Sequence, residues 1–272
     1  MLAFIHVAKT GGQTVETLLA SSYGAGFCIA PEWKRPASSH PANENFVIAK
    51  YNAEDLRRLQ RVCPWLKCVG GHPVTLWSEF ESVTPTTWFA LVREPLARGA
   101  SHFQYNLQDS STRPRPWREW IEWPTHFNHQ VKMFSPTGDP HDAIDRIVRN
   151  NVFVGLTERF DESMVILRKL FQPDLNIAYR RTNSAYDPAP AKAMLADTEI
   201  VHQLKRMYAD ELILHEFITR EWYPRFQKEY GPKLAADVAS FKQNPQSGFN
   251  LWNYRFSRLN HHLILKPARI LT

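Results

Sequence analysis

The chain has 272 residues, 43% of them hydrophobic and 22% charged, with 33 Lys plus Arg against 27 Asp plus Glu for a formal charge of +6. That balance suits one large α/β domain, or a domain with appendages, and excludes a disordered or fibrous chain. No apolar run approaches the roughly 20 residues of a membrane helix, and no Lys/Arg block makes nucleic acid the expected partner.

The first element is an apolar strand carrying Leu2, Phe4, Ile5 and Val7. It runs into the loop Ala8-Lys9-Thr10-Gly11-Gly12-Gln13-Thr14, and a helix follows with Val15, Leu18 and Leu19 at helical spacing. A strand, a glycine loop and a helix start form an anion site, because free amides and the helix dipole point at one spot. Lys9 adds a full charge there, and Thr10, Gln13 and Thr14 add side-chain donors.

Residues 24–46 read as a loop and residues 46–50 as a short strand. Residues 52–61 are helical and stop before Pro64. Lys67-Cys-Val-Gly-Gly-His72 is a strand entering a turn. Thr87 to Arg93 is a buried strand, ended by Glu94-Pro95, with a helix from about Leu96 to Asn106. Residues 109–126, with Trp117, Trp120 and Trp123, read as a surface insertion or short helix. Their rings are open to sugar stacking or to packing against the domain.

Residues 141–150 are an amphipathic helix. Val152 to Thr157 is a strand, and Asp161 to Phe171 is a helix with Asp161 as its N-cap. Ile177-Ala-Tyr179 reads as one more strand, and a long helix from near Ile200 reaches Trp222, where Pro224 ends or kinks it. Residues 1–232 therefore form the α/β domain, with a mostly parallel sheet in three layers. Residues 233–272 read as an appendage packing on the domain or on a partner. The three cysteines, Cys28, Cys63 and Cys68, read as reduced thiols without zinc spacing. With no signal segment before the first strand, the expected location is cytoplasmic.

In such sheets ligands bind at the carboxyl ends of the strands, where the first loop, Gly71-His72 and Arg93 all fall. The first loop is not a Walker A loop, since Lys9 precedes both glycines instead of following them. The G-x-G-x-x-G dinucleotide fingerprint is absent too.

Three stretches carry a family resemblance. The order Ile5-His-Val-Ala-Lys9-Thr-Gly-Gly-Gln-Thr14 resembles the phosphosulfate loop of sulfotransferases that use 3′-phosphoadenosine 5′-phosphosulfate (PAPS), in the heparan sulfate 2-O-sulfotransferase branch, where it runs P-K-T-G-G-T-S/T. Ala8 stands where that pattern has Pro, and Gln13 where it has Thr or Ser. Phe89 to Ser101 is similar to the family's 3′-phosphate element, R-[DE]-P-x-x-R followed by Ser. Phe153-Val-Gly-Leu-Thr-Glu-Arg-Phe-Asp-Glu-Ser163 is similar to its V-G-L-x-E-x-F-D-E-S element, an architectural one.

The resemblance implies a P-loop-like fold and sulfuryl transfer from PAPS, as co-substrate, to a hydroxyl acceptor, a carbohydrate or small metabolite, without a metal. Lys9 and loop residues 10–14 would hold the 5′-phosphosulfate, and Arg93 and Ser101 the 3′-phosphate. His72 would be the general base, with Glu79 or Glu94 as fallback and a turn-capping role as the alternative for His72. Arg98 reads as a bridge from helix to sheet. Asn128 and Gln130 resemble an acceptor-side stretch, and the basic stretch Arg180-Arg181-Thr182-Asn183 reads as closing over the nucleotide or as a solvated turn. His6 reads as a core residue, His102 as open to the nucleotide, and His126 with His129 as lacking a third metal ligand. A nucleotide-dependent phosphotransferase and a non-catalytic PAP- or PAPS-binding protein are the competing readings. The oligomeric state is open.

Overall fold

The computed structural model describes residues 1–30, 51–108, 116–121, 127–180, 182 and 188–266. Strand β1 (Leu2–Ile5) leads to α1 (Gly12–Tyr23), β2 (Phe27–Ile29), α2 (Ala53–Val62), β3 (Cys68–Gly71), β4 (Thr87–Val92) and α3 (Pro95–Gln108). Next come α4 (Trp117–Ile121), α5 (His129–Phe134), α6 (Pro140–Arg149), β5 (Phe153–Leu156) and α7 (Phe160–Ile166). The rest is helical: α8 (Ala189–Ala196), α9 (Thr198–Met207), α10 (Ala209–Phe217), α11 (Tyr223–Tyr230), α12 (Leu234–Gln243) and α13 (Leu251–Asn260).

Among the described residues the strands form one sheet in the order β2-β3-β1-β4-β5, with every neighbouring pair parallel. Helices flank it. All four residues of β1 are buried, as are those of β3 and β5. Strands covered on both faces need continuous apolar runs instead of alternation. The register places the future site. Ile5 is level with Gly71 on one side and with Ala90 on the other. One step on, His6 lies beside His72, and beyond the turn that follows β1 the Arg93 side chain reaches the Lys9 carbonyl.

Several expectations change. The loop read over 24–46 contains an edge strand, β2, paired with β3. Its three residues are too few for a periodic signal. The strand read at 46–50 lies outside the described residues. Ile177–Tyr179 joins no strand pair, and the Tyr179 N–H donates to the Pro245 carbonyl at 2.9 Å. Asp161 does not cap α7; its carboxylate accepts from the Tyr179 hydroxyl at 2.6 Å.

The long helix breaks at Tyr208, whose fully buried ring packs on Gly99 of α3. An added Cβ on Gly99 would come within 2.7 Å of that ring. Pro224 neither ends nor begins the break. It occupies the first turn of α11, directly after a π-helical turn at Ile218–Trp222. A proline there has no N–H to lose from the ladder.

Residues 233–266 are folded onto the α/β body. Leu234, Val238 and Leu265 join its core, and α13 packs along α1. The Asn260 amide of α13 reaches the Ala25 carbonyl at 3.3 Å and the Sγ atoms of Cys28 and Cys63 at 3.9 Å. All three cysteines are free and buried. Among the described residues no helix is long and apolar enough to cross a membrane.

Candidate active site

The chain leaves β1 through His6 and Val7 and turns at Lys9, which adopts φ 68°, a left-handed conformation that a non-glycine residue rarely takes. Gly11, at φ 84°, then starts α1. This helix start carries no capping side chain and no acid in its first turn. The contrast is α2, where Asn52 and Asp55 form a reciprocal capping box and Glu54 adds charge. The positive end of α1 is therefore not neutralised by its own residues.

Neighbouring strands hold the loop. The Thr157 hydroxyl, just after β5, is shared between the carbonyls of Thr10 at 2.9 Å and Val92 at 3.0 Å. The Ala8 N–H donates to Nε2 of the buried His129 at 3.2 Å. That acceptor role leaves the His129 proton on Nδ1, and burial holds its pKa well below the usual histidine value. Its i, i+3 spacing from His126, which lies outside the described residues, suggests a metal pair that still lacks a third ligand. In the fold His129 is a prop for the loop.

Two cations meet at this loop. Nη1 of Arg93, immediately after β4, donates to the Lys9 carbonyl at 3.3 Å. Burial, and then the Arg93 charge, lower the Lys9 pKa to about 8. Burial likewise lowers that of Arg93. Both side chains are half-buried, and among the described residues neither lies within ion-pair distance of a carboxylate. The Lys9 Nζ sits over the exposed Tyr105 ring of α3, 4.1 Å from its centroid. Ser101 lies one turn before Tyr105 on the same face of α3, so it belongs to this wall. Tyr105 went unnoticed in the sequence, although its i+4 spacing from Ser101 marks it.

Arg93 itself is positioned by a buried network. The Gln130 side chain pairs with the Arg93 backbone in both directions, each bond 2.9 Å. The same amide donates to Glu211 at 2.9 Å, and the Gln130 N–H donates to Glu211 at 3.2 Å. Glu211, fully buried on α10, also takes two bonds from Arg98, Nη2 at 2.9 Å and Nε at 3.1 Å. Arg98, read as a bridge to the sheet, ties α3 to α10 through these bonds. Gln130, expected on the acceptor side, is 1% exposed and faces inward. Asn128 starts α5 in a left-handed conformation and donates to Asp210.

The third contributor follows β3. The His72 ring stacks on His6, with centroids 4.0 Å apart and planes 26° from parallel. Its Nδ1 lies 2.9 Å from the His6 carbonyl, which can only accept, so the proton is on Nδ1 and the Nε2 lone pair is free to act. The ring crowds against protein on one side and opens to solvent on the other. Desolvation, and then His6, lower its pKa to about 4. His6 is buried and donates from Nδ1 to Glu16 of α1 at 2.7 Å.

Gly12 is required by that packing: an added Cβ would overlap the His6 ring. Gly12→Ala is expected to lower stability by about 1–3 kcal/mol, as overpacking does, and to displace the His72 stack. A thermal melt matching the wild type would contradict this.

Other expected donors are used differently. The buried Thr10 hydroxyl donates to the Val7 carbonyl at 2.9 Å. The Thr14 hydroxyl faces Thr182, 3.3 Å from its hydroxyl, and accepts from the Thr182 N–H at 3.4 Å. That contact brings Thr182 to the start of α1, while Arg181 lies outside the described residues. Gln13 and Gly11 are exposed at the helix start.

The fallback bases are committed or remote. The Glu94 carboxylate caps α3, accepting from Leu96 N at 3.1 Å and Ala97 N at 2.6 Å. Glu79 is exposed at the start of a separate 3-10 turn. Trp120 is buried against His102 and Phe103, and Trp123 lies outside the described residues. Among the described residues no cluster of His, Cys, Asp or Glu has the makings of a metal site.

No family model, curated protein or solved structure matches the chain. The chemistry must be read from the site's own geometry.

Proposed function

We propose that the chain is a sulfotransferase of P-loop-like fold, moving a sulfuryl group from PAPS to a hydroxyl acceptor, a carbohydrate or small metabolite. The observation that carries this reading is the pair of half-buried cations Lys9 and Arg93, joined by a 3.3 Å bond from the Arg93 guanidinium to the Lys9 carbonyl, with no carboxylate within ion-pair distance of either among the described residues. Two like charges held together, beside an uncapped helix start, call for a multiply charged anion.

Lys9 and the amides opening α1 would hold the 5′-phosphosulfate, and Arg93 with Ser101 the 3′-phosphate. Nε2 of His72 would take the acceptor proton as the hydroxyl oxygen bonds to sulfur. Lys9 would neutralise the charge that appears on the phosphate oxygen when its bond to sulfur breaks. Catalysis of this kind is mostly positioning plus charge stabilisation. The fit is good at the helix start and the two cations. It is poorer at Thr10, whose hydroxyl is turned inward.

The test is transfer of labelled sulfate from PAPS to a panel of sugars, lipids and small alcohols, with mass spectrometry of the products. Lys9→Ala is expected to lower kcat by about 10²–10³-fold with little effect on nucleotide affinity. Arg93→Ala is expected to weaken binding of 3′-phosphoadenosine 5′-phosphate by about 10–100-fold, the worth of a charged hydrogen bond. Negligible effects of both would sink the assignment. Transfer from ATP that depends on Mg²⁺ would favour a phosphotransferase. Tight nucleotide binding with no sulfated product from any acceptor would favour a non-catalytic binding protein.

A further inference from the structure

The last helix shows solvent an apolar stripe that the fold leaves uncovered among the described residues. Trp252, Phe256, Leu259 and Leu263 recur at i, i+4, i+7 and i+11 along α13 and the π-helical turn that continues it, and are 70%, 55%, 51% and 65% exposed. That spacing puts all four on one face. Arg255, Arg258, His262 and Lys266, all exposed, form a basic row along one side of the stripe. On the other side lies Trp65, 45% exposed, whose indole N–H donates to the Ala25 carbonyl that Asn260 of α13 also reaches.

The charge pattern names the occupant. From Val238 to Thr272 the sequence holds five Lys and Arg and no Asp or Glu. The acid lining the groove of about 480 Å³ between α1 and α13 is Glu16, which is bonded inward to His6. A second copy docked face to face would set basic row near basic row. Residues 31–50 carry Glu32 and Glu44 against Lys34, Arg35 and Lys50, and residues 267–272 carry Arg269, so neither segment has a net negative charge to set against the row.

Tryptophan, phenylalanine and leucine flanked by cations are instead the composition of a helix that lies in the headgroup region of a bilayer, with aromatic rings at the boundary. We propose that α13 docks the protein on the surface of an anionic phospholipid bilayer, its stripe inserted and its basic row on the headgroups. Since α13 packs along α1, docking brings the groove lined by Gln13, Arg258 and Lys266 beside the lipid surface.

The test is co-sedimentation of the full chain with vesicles of phosphatidylcholine alone and of equal parts phosphatidylcholine and phosphatidylglycerol, at low and high salt. Binding is expected to the mixed vesicles at low salt. Arg255→Glu with Arg258→Glu is expected to weaken it about 25-fold or more, since each cation near an anionic leaflet is worth about a factor of five. Phe256→Ser with Leu263→Ser is expected to weaken it by about tenfold or more at either salt. These side chains are exposed, so both variants are expected to melt with the wild type. No sedimentation of the wild type with mixed vesicles at low salt would overturn the proposal. So would unchanged binding by either folded variant, or a dimer in ultracentrifugation that the Phe256→Ser, Leu263→Ser variant abolishes.

Discussion

His72→Ala is expected to lower kcat by about 10²–10⁴-fold, the range general-base catalysis supplies, while nucleotide affinity stays near that of the wild type. The geometry already selects the working atom. With Nδ1–H donated to the His6 carbonyl at 2.9 Å, the base is Nε2. The pH profile carries the second half of this expectation. Desolvation of the face that crowds against protein, and then His6, lower the His72 pKa to about 4 although the residue is exposed on its other side, so the ring stays neutral well below the usual histidine range. Burial and Arg93 lower the Lys9 pKa to about 8, so its charge fades as pH rises through that value.

The sign is opposite at the two ends. Protonation of His72 switches the reaction off in acid, and deprotonation of Lys9 weakens it in alkali. The profile of kcat/KM for the free enzyme is therefore expected to run flat between about 4 and 8. An acid limb centred near 6.5 that disappears in the His72→Ala variant would overturn this placement of the ring. A variant retaining wild-type kcat would remove His72 from the chemistry altogether.

The second large effect is expected away from the loop. Glu211→Ala is predicted to destabilise the fold by about 3–5 kcal/mol, because it leaves Arg98 charged and buried without its partner. At the scale of this chain that is about 6–20 °C in Tm. Glu211 also accepts from both the backbone and the side chain of Gln130, which in turn holds the Arg93 backbone. Nucleotide affinity should therefore fall with stability, although Glu211 sits on a different element from Arg93.

The double replacement Arg98→Met, Glu211→Leu separates the two consequences. Exchanging a buried ion pair for apolar volume recovers much of the stability. It does not restore the acceptor that Gln130 needs. A double variant that regains both thermal stability and wild-type affinity for 3′-phosphoadenosine 5′-phosphate would show that the network does not position Arg93.

The candidate site divides along a physical line. Strand ends and the first loop were legible because local pattern decides them. Apolar runs at residues 2–7, 67–71 and 87–92 cannot be solvated, and the residues that follow each run must emerge at an edge of the sheet. Lys9, His72 and Arg93 are accordingly legible as strand-end residues from the sequence alone. The short strand β2 and the break at Tyr208 were not legible. Each is settled by a partner far along the chain, β3 in one case and Gly99 in the other. The same holds for Gln130, read as an acceptor contact, and Arg98, read as a bridge to the sheet, whose actual partner is Glu211 on a distant helix.

By itself, then, the sequence determined an α/β chain with a glycine-rich, lysine-bearing loop at its first strand end, because periodicity and turn chemistry act within a few residues. The tertiary structure decided which polar groups remain available at that loop. It turned Thr10 inward, gave Gln130 to Arg93 and Glu211, and fixed the His72 tautomer on the His6 carbonyl. It also left the stripe of α13 facing solvent. The availability of a donor, an acceptor or an apolar face depends on what long-range packing has already consumed, and no local pattern records that.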